Sequence, residues 1–191
     1  MRSKLVLAVL FIVSSLPAFS QVAPAVKISG FPLGVGAGIS DYFLDYGTGR
    51  RMVGVSAWAD YTLFHGLGVD VEGTSIFAAR PSAISRMKQN TIKLNAIYRY
   101  HELFHLRPYV KGGGGLASID FPSRNPLYTH DTFTVYDFGG GLEYRAWRTL
   151  YVRADYEYQT VVHYESSVKN LNPNGFTIGA TFYLRGVHGH K

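Results

Sequence analysis

Residues 160–174 carry His163, Glu165, Ser166 and Ser167, the side-chain types of a serine hydrolase, in which a base activates a hydroxyl. Their closeness in sequence is weak support, because such triads are assembled by the fold from distant positions. No GxSxG nucleophile turn occurs in the chain, and a solvated loop accounts for the same residues. His188 and His190 lack a third ligand nearby, and the chain has no cysteine to supply thiolate ligands, thiol catalysis or disulfides. His101 and His105 straddle a short turn and suit an interfacial position. Gly112–Gly115 and Gly139–Gly141 invite a phosphate-cradling reading, but no GxxxxGK[ST] is present and neither run opens a helix. These residues predict no enzyme, no cofactor and no metal.

A different set carries more chemistry. Asp60, Asp70, Glu72, Lys93, Arg99, Lys111, Asp137, Glu143, Arg145, Arg153, Asp155 and Glu157 are spaced so that each alternates with apolar neighbours. Ionised groups on one face of apolar strands must pair with one another, because an isolated buried charge is too costly. What positions them is a period of two, which places alternate residues on opposite faces of a strand.

Eight such segments are legible: 33–41, 52–61, 68–78, 90–100, 108–120, 132–145, 149–159 and 175–185. Most have the length that a tilted strand needs to cross a bilayer. Connections 62–67, 101–107 and 146–148 are short; 42–51, 79–89, 121–131 and 160–174 are long and polar. Short turns on one side and long loops on the other mark a barrel in an outer membrane. The composition agrees. With 14 Tyr, 12 Phe, 21 Gly and only 17% charged residues in 191, the chain is neither disordered nor an ordinary helical protein.

The faces differ in kind. Ile92, Leu94, Ala96, Tyr98 and Tyr100 oppose Thr91, Lys93, Asn95 and Arg99; Leu150, Val152, Ala154, Tyr156 and Tyr158 oppose Tyr151, Arg153, Asp155, Glu157 and Gln159. Aromatics close the apolar face at two levels: Tyr61, Tyr98, Tyr100, Tyr144 and Phe182 toward the turns, Phe77, Phe133, Tyr136 and Phe176 toward the loops. Rings at two levels suit two water–lipid interfaces. The opposite orientation, a water-soluble barrel with its apolar face inside, shows the same alternation and stays open.

With the charged face inside, centring each connection predicts the registers. Glu143 falls opposite Arg153 across the turn 146–148, and opposite Tyr109, diagonal to Lys111, across the loop centred at Pro126. Gly113 then faces Gly139, and the glycines leave space for Trp58 or Tyr109. Lys111, Glu143 and Arg153 join in one cluster, and Arg99, Asp155 and Glu157 complete an interior ion network. It reads either as a gate on a narrow pore or as a permanent polar plug, since eight strands leave little room inside. The long loops carry Arg50, Arg51, Arg80, Arg86, Lys88, Arg124 and Lys169, a basic excess that suits lipid phosphates or simple solubility.

The N-terminus reads as an address. Arg2 and Lys4 precede the apolar run Leu5–Val13, and Ala18-Phe19-Ser20 places small residues at −3 and −1 of a cleavage site. Residues 1–20 are expected to be a signal peptide and 21–191 a β-barrel domain. Export makes nucleic acid an unsuitable partner despite the formal charge of +6.

Thr177-Ile-Gly179-Ala-Thr-Phe182-Tyr-Leu184 resembles the signal read by the barrel-assembly machinery. The segments Val55–Tyr61, and Tyr144–Trp147 with Val152–Tyr158, resemble bacterial proteins described as outer membrane beta-barrel. With the signal peptide and eight strands, the chain resembles the small outer-membrane barrels of the OmpA transmembrane domain and OmpX type. The resemblance implies an all-β, up-and-down, antiparallel eight-stranded transmembrane barrel. It also implies outer-membrane lipid and the assembly machinery as partners, and a monomer without catalytic activity. Such barrels usually stop at an aromatic; this one has Leu184 there, followed by Arg185–Lys191. No wall-binding domain follows.

Overall fold

The computed structural model describes residues 33–44, 51–78, 87–120, 130–166 and 169–184, with the side chains of 130, 163–166 and 169 left undescribed. The strands are β1 (Leu33–Phe43), β2 (Arg51–Phe64), β3 (Leu67–Ala78), β4 (Lys88–Arg99), β5 (Leu106–Asp120), β6 (His130–Arg145), β7 (Leu150–Ser166), β8 (Lys169–Leu171) and β9 (Asn174–Leu184). β1 to β7 each pair antiparallel with the next strand, and β9 pairs with both β7 and β1, which closes the wall. Eight strands make the barrel; β8 is a short extension hydrogen-bonded to the end of β7. Residues 160–174, expected as an open loop, are thus partly ribbon. Thr160, Val161 and Val162 continue the β-branched pattern of β7, and Pro173 interrupts the return strand.

Burial alternates strand by strand; along β4 it runs without a break from Lys88 to Arg99. Val152 and Ile178 are 41% and 56% exposed, on the outer wall. A belt of exposed Val, Ile, Leu and Phe around the barrel far exceeds the apolar patches of soluble monomers. The inward positions are polar and buried. That pairing of surfaces fits lipid outside and rules out the soluble orientation.

Phe133 is a correction to the aromatic belt. It packs against an interior cluster, whereas Tyr136, of opposite parity, is exposed. That cluster, which includes Met52, Ile76, Met87, Ile119, Val135, Val161 and Leu171, fills the loop end of the lumen with apolar side chains. The strands there run on beyond the stretch whose outer wall is apolar, so the lumen is built like an ordinary core.

The tight turns have a defined geometry. His65 and Gly66 join β2 to β3 with φ of 47° and 83°. Phe104 and His105 sit between the bridged Leu103 and Leu106 with φ of 51° and 67°. Two left-handed residues match the twist of a hairpin, but Phe104 and His105 lack glycine's freedom to adopt them.

Glu143 pairs with Arg153 across β6 and β7. Across β5 and β6 the partners differ from expectation: Arg107 faces Glu143, Tyr109 faces Gly141 and Gly113 faces Asp137. The pairing is centred on Asn125 rather than Pro126, and moving a loop centre by one residue slides the register by two. Every side chain keeps its face, so the error leaves the inside–outside assignment intact.

Candidate functional site

The interior is built in layers. Nearest the turns, Glu143 is completely buried and receives Arg107 (Nη2–Oε2 2.5 Å), Arg99 (Nε–Oε2 3.3 Å) and the Tyr183 hydroxyl (3.1 Å). Arg107 also donates to the Tyr183 oxygen at 2.7 Å, and its guanidinium lies over the Tyr151 and Tyr183 rings. Arg99 reaches Asp60 at 2.8 Å. Stacking and forked bonding hold both arginines in one orientation.

The next layer centres on Arg153, which has no exposed surface. Its Nε donates to Asp155 (2.8 Å) and to the Tyr109 hydroxyl (2.7 Å), and Nη1 reaches Asp70 at 3.3 Å. Tyr109 in turn donates to Asp155 at 2.6 Å. The Arg153 guanidinium sits 4.6 Å from the Trp58 ring. Further toward the loops, Lys111 bridges Glu72 (2.5 Å), Glu157 (2.7 Å) and Asp155 (3.8 Å). Lys93 contacts Glu157, and lies 3.5 Å from both Glu72 and Asp137. Gln159 and Tyr42 complete the shell of Glu157 at 2.6 and 3.2 Å. Above them lies the apolar plug.

Of the six residues named for the interior network, all are buried and ion-paired. They divide differently from expectation. Lys111 and Arg153 share Glu72 and Asp155, while Glu143 belongs with Arg99 and Arg107. The single Lys111–Glu143–Arg153 cluster is therefore two. The shifted register explains it, because Glu143 sits opposite Arg107 instead of beside Lys111. Arg145 lies at the rim, where it pairs with Glu102 at 2.9 Å.

Sequence reasoning missed Arg107, Tyr42 and Gln89, and it set Tyr109, Tyr183 and Gln159 on the inward side without counting them in the network. Arg107 precedes Pro108, the expected start of the strand; the phenols and amides share inward parity with the charges, which is the signal that finds them. A hydroxyl ladder runs through Ser40, Ser56 and Thr74, with Ser40 also bonded to Thr177.

The space for Trp58 comes from an unexpected place. A Cβ on Gly179 would lie 2.6 Å from the Trp58 ring, and Gly36 approaches that ring too; the runs at 112–115 and 139–141 do not touch it. Gly141 instead makes room for Asp155, at 2.7 Å from its Cβ. The inward faces of β1 and β9 are Gly34, Gly36, Gly38, Ser40 and Tyr42, and Gly175, Thr177, Gly179, Thr181 and Tyr183. Neither carries an ionised side chain. Within the segment read as an assembly signal, Thr177 points inward and Phe182 and Leu184 lie on the outer wall.

Of the basic loop residues, Arg51 lies in β2 and is bound to Asp41; Lys88 begins β4. Arg50, Arg80, Arg86 and Arg124 lie outside the described residues, as do residues 1–20, Ser167, His188 and His190. His163, Glu165 and Ser166 are placed in β7 by backbone alone. Among the described residues no group of three His, Asp or Glu side chains is arranged to hold a metal ion.

The family described as outer membrane protein beta-barrel domain matches residues 6–183. No curated protein matches the chain by sequence. Among solved structures, Neisserial surface protein A (NspA) superposes with a TM-score of 0.66 at 18% identity, over 80% of this chain and 97% of that one. Ail, the attachment invasion locus protein of Yersinia pestis, gives 0.57 at 14% identity over 80% and 99%. The outer membrane protein AlkL, solved in lipid bilayers, gives 0.56 at 16% identity over 90% and 99%. At these identities the likeness concerns the fold.

Proposed function

The chain belongs to the outer membrane protein β-barrel family and resides in the bacterial outer membrane, and on that premise we propose that it is a closed, non-catalytic barrel. Its work is envelope structure or surface interaction through the long loops. One observation carries this reading: the lumen is filled from the Glu143 layer to the apolar plug. Lys111, Arg153, Asp155 and Glu157 interlock across it, and Met52, Ile76, Ile119 and Val135 close the loop end, all nearly or fully buried. An interior of eight strands is just wide enough for such packing. In this reading Lys111, Glu143, Arg153, Asp155, Glu157 and Arg99 are a permanent polar core rather than a gate. The names of NspA and Ail, a surface protein and an attachment protein, are in keeping with a role for displayed loops.

Three further assignments belong to the proposal. Residues 1–20 are an export signal. Thr177, Gly179, Phe182 and Leu184 are read by the assembly machinery. The barrel works as a monomer.

Planar-bilayer recording of the refolded protein tests the closed lumen. The expected outcome is silence. Reproducible conductance steps that change on Glu143→Gln or Arg153→Met would establish the pore instead.

A further inference from the structure

The turn-side end of the lumen holds a cavity of about 700 Å³ below the Glu143 layer. Arg99, Arg107, Arg145, Arg148, His101 and Glu102 are on its wall. We propose that this cavity binds a small oxyanion, a phosphate or a carboxylate, presented from the turn side of the membrane.

Three observations carry the assignment. The first is charge. Four guanidinium groups face one wall carboxylate, Glu102, which is engaged by Arg145 at 2.9 Å and lies 3.6 Å from His105. Glu143 lies beneath, fully buried, and is engaged by Arg99 and Arg107. Arg148 is exposed and has no ion pair among the described residues.

The second is an unspent buried donor. Arg99 is only 3% exposed, and its Nη1 has no hydrogen-bond partner. Nε is used on Glu143, Nη2 lies 2.8 Å from Asp60 without making a hydrogen bond, and Arg99 as a residue lines the cavity. A buried donor without an acceptor is costly, and an anionic oxygen is its strongest partner.

The third is preorganisation. Arg107 is clamped between the Tyr151 and Tyr183 rings at 4.7 and 5.1 Å. Its guanidinium, with Nε and Nη2 already on Glu143 and Tyr183, is thus held in place before any ligand arrives, which lowers the ordering cost of binding. The volume lies in the range of small-molecule sites and exceeds what a bare phosphate needs. An anionic group carried on a polar, sugar-sized body fits it. The tyrosines on the wall would supply hydroxyl donors and flat faces to such a body.

Two sources present this chemistry on the turn side: a soluble anion, or the headgroup of an anionic phospholipid in the adjoining leaflet. The inference does not depend on whether the lumen conducts, so bilayer recordings and binding experiments fail independently.

The full exported protein, refolded in a nonionic detergent, is titrated with inorganic phosphate at constant ionic strength and followed by calorimetry. Saturable binding in the millimolar range is expected. Arg148→Gln and Arg145→Gln each weaken it about tenfold, the loss of one charge-assisted contact; Arg51→Gln, at the loop side, leaves it unchanged. Arg148 is exposed and has no ion pair among the described residues, so its variant does not endanger folding. Repeating the titration in nanodiscs separates the sources. Loss of phosphate binding in discs containing phosphatidylglycerol, but not in phosphatidylcholine alone, assigns the site to a headgroup. Equal binding in both assigns it to a soluble anion. Absence of saturable binding, or equal affinity in the Arg145→Gln/Arg148→Gln double variant and the parent protein, overturns the proposal.

Discussion

Arg153→Met is the sharpest test of what holds the barrel together. The substitution removes one cation from a lumen in which Asp60, Asp70, Glu72, Asp137, Glu143, Asp155 and Glu157 face Lys93, Arg99, Arg107, Lys111 and Arg153. Asp155 then keeps Tyr109 and a distant Lys111, and Asp70 keeps only Asn95, at 3.2 Å. Methionine retains apolar contact with Trp58, so the loss is mainly electrostatic. Removing one partner of a buried ion pair costs about 3–5 kcal/mol. With an m-value of about 2 kcal/mol/M, the urea midpoint falls by roughly 2 M. Equilibrium unfolding from micelles, read by tryptophan fluorescence, measures this directly, because the guanidinium lies against Trp58. Arg153→Lys keeps the charge but not the fork, and loses less than half as much. Adding Asp155→Asn to Arg153→Met removes one stranded carboxylate and regains about 1–2 kcal/mol, the coupling expected of direct partners. A single variant within about 0.5 kcal/mol of the parent, or a double variant with simply additive losses, refutes the idea that these charges hold the lumen as one network.

Gly179→Ala crowds the Ala37 carbonyl and Gly38 Cα as well as the Trp58 ring and should destabilise by about 1–3 kcal/mol in the same assay; Trp58→Phe in that background recovers part of the loss, and no recovery would show that the backbone contacts, not the ring, are the obstacle. Ile178→Arg, on the lipid-facing wall, should cost about 2–4 kcal/mol in bilayer-refolded protein, and a neutral result would place that wall away from lipid. Intact-mass measurement of the exported protein should give a chain beginning at Gln21; a mass that retains residues 1–20 contradicts the cleavage assignment.

The wall of the barrel was readable because side-chain direction has a period of two and tolerates errors of even size. The displaced register of β5 against β6 shows this. Lys111 and Glu143 lost their expected proximity, yet both stayed inside. The partners themselves were not readable, since each depends on where a long loop is centred. Arg107 is hard to place from sequence because Pro108 marks a strand start, whereas β5 begins two residues earlier at Leu106. The apolar plug went unseen for a different reason. Met52, Ile76, Ile119 and Val135 have inward parity, but near the loops the inward face turns apolar while the outward one carries Lys88, Asn90, Thr132 and Thr134, so chemistry no longer marks direction. Phe133 was placed outside by the same reasoning. The glycines around Trp58 were legible as a class but not by address, because contact between β1, β2 and β9 depends on closure of the cylinder.

The two strands that meet last in chain order, β1 and β9, turn only glycine, hydroxyl and phenol groups toward the axis. The whole burden of dehydrating ions falls on β2 through β7, which are continuous in sequence and can satisfy their electrostatics as a curved sheet. Joining the ends then brings in backbone amides and neutral side chains alone, with Tyr42 and Tyr183 donating to Glu157 and Glu143. The seam can zip shut or part without breaking a salt bridge between its own two edges.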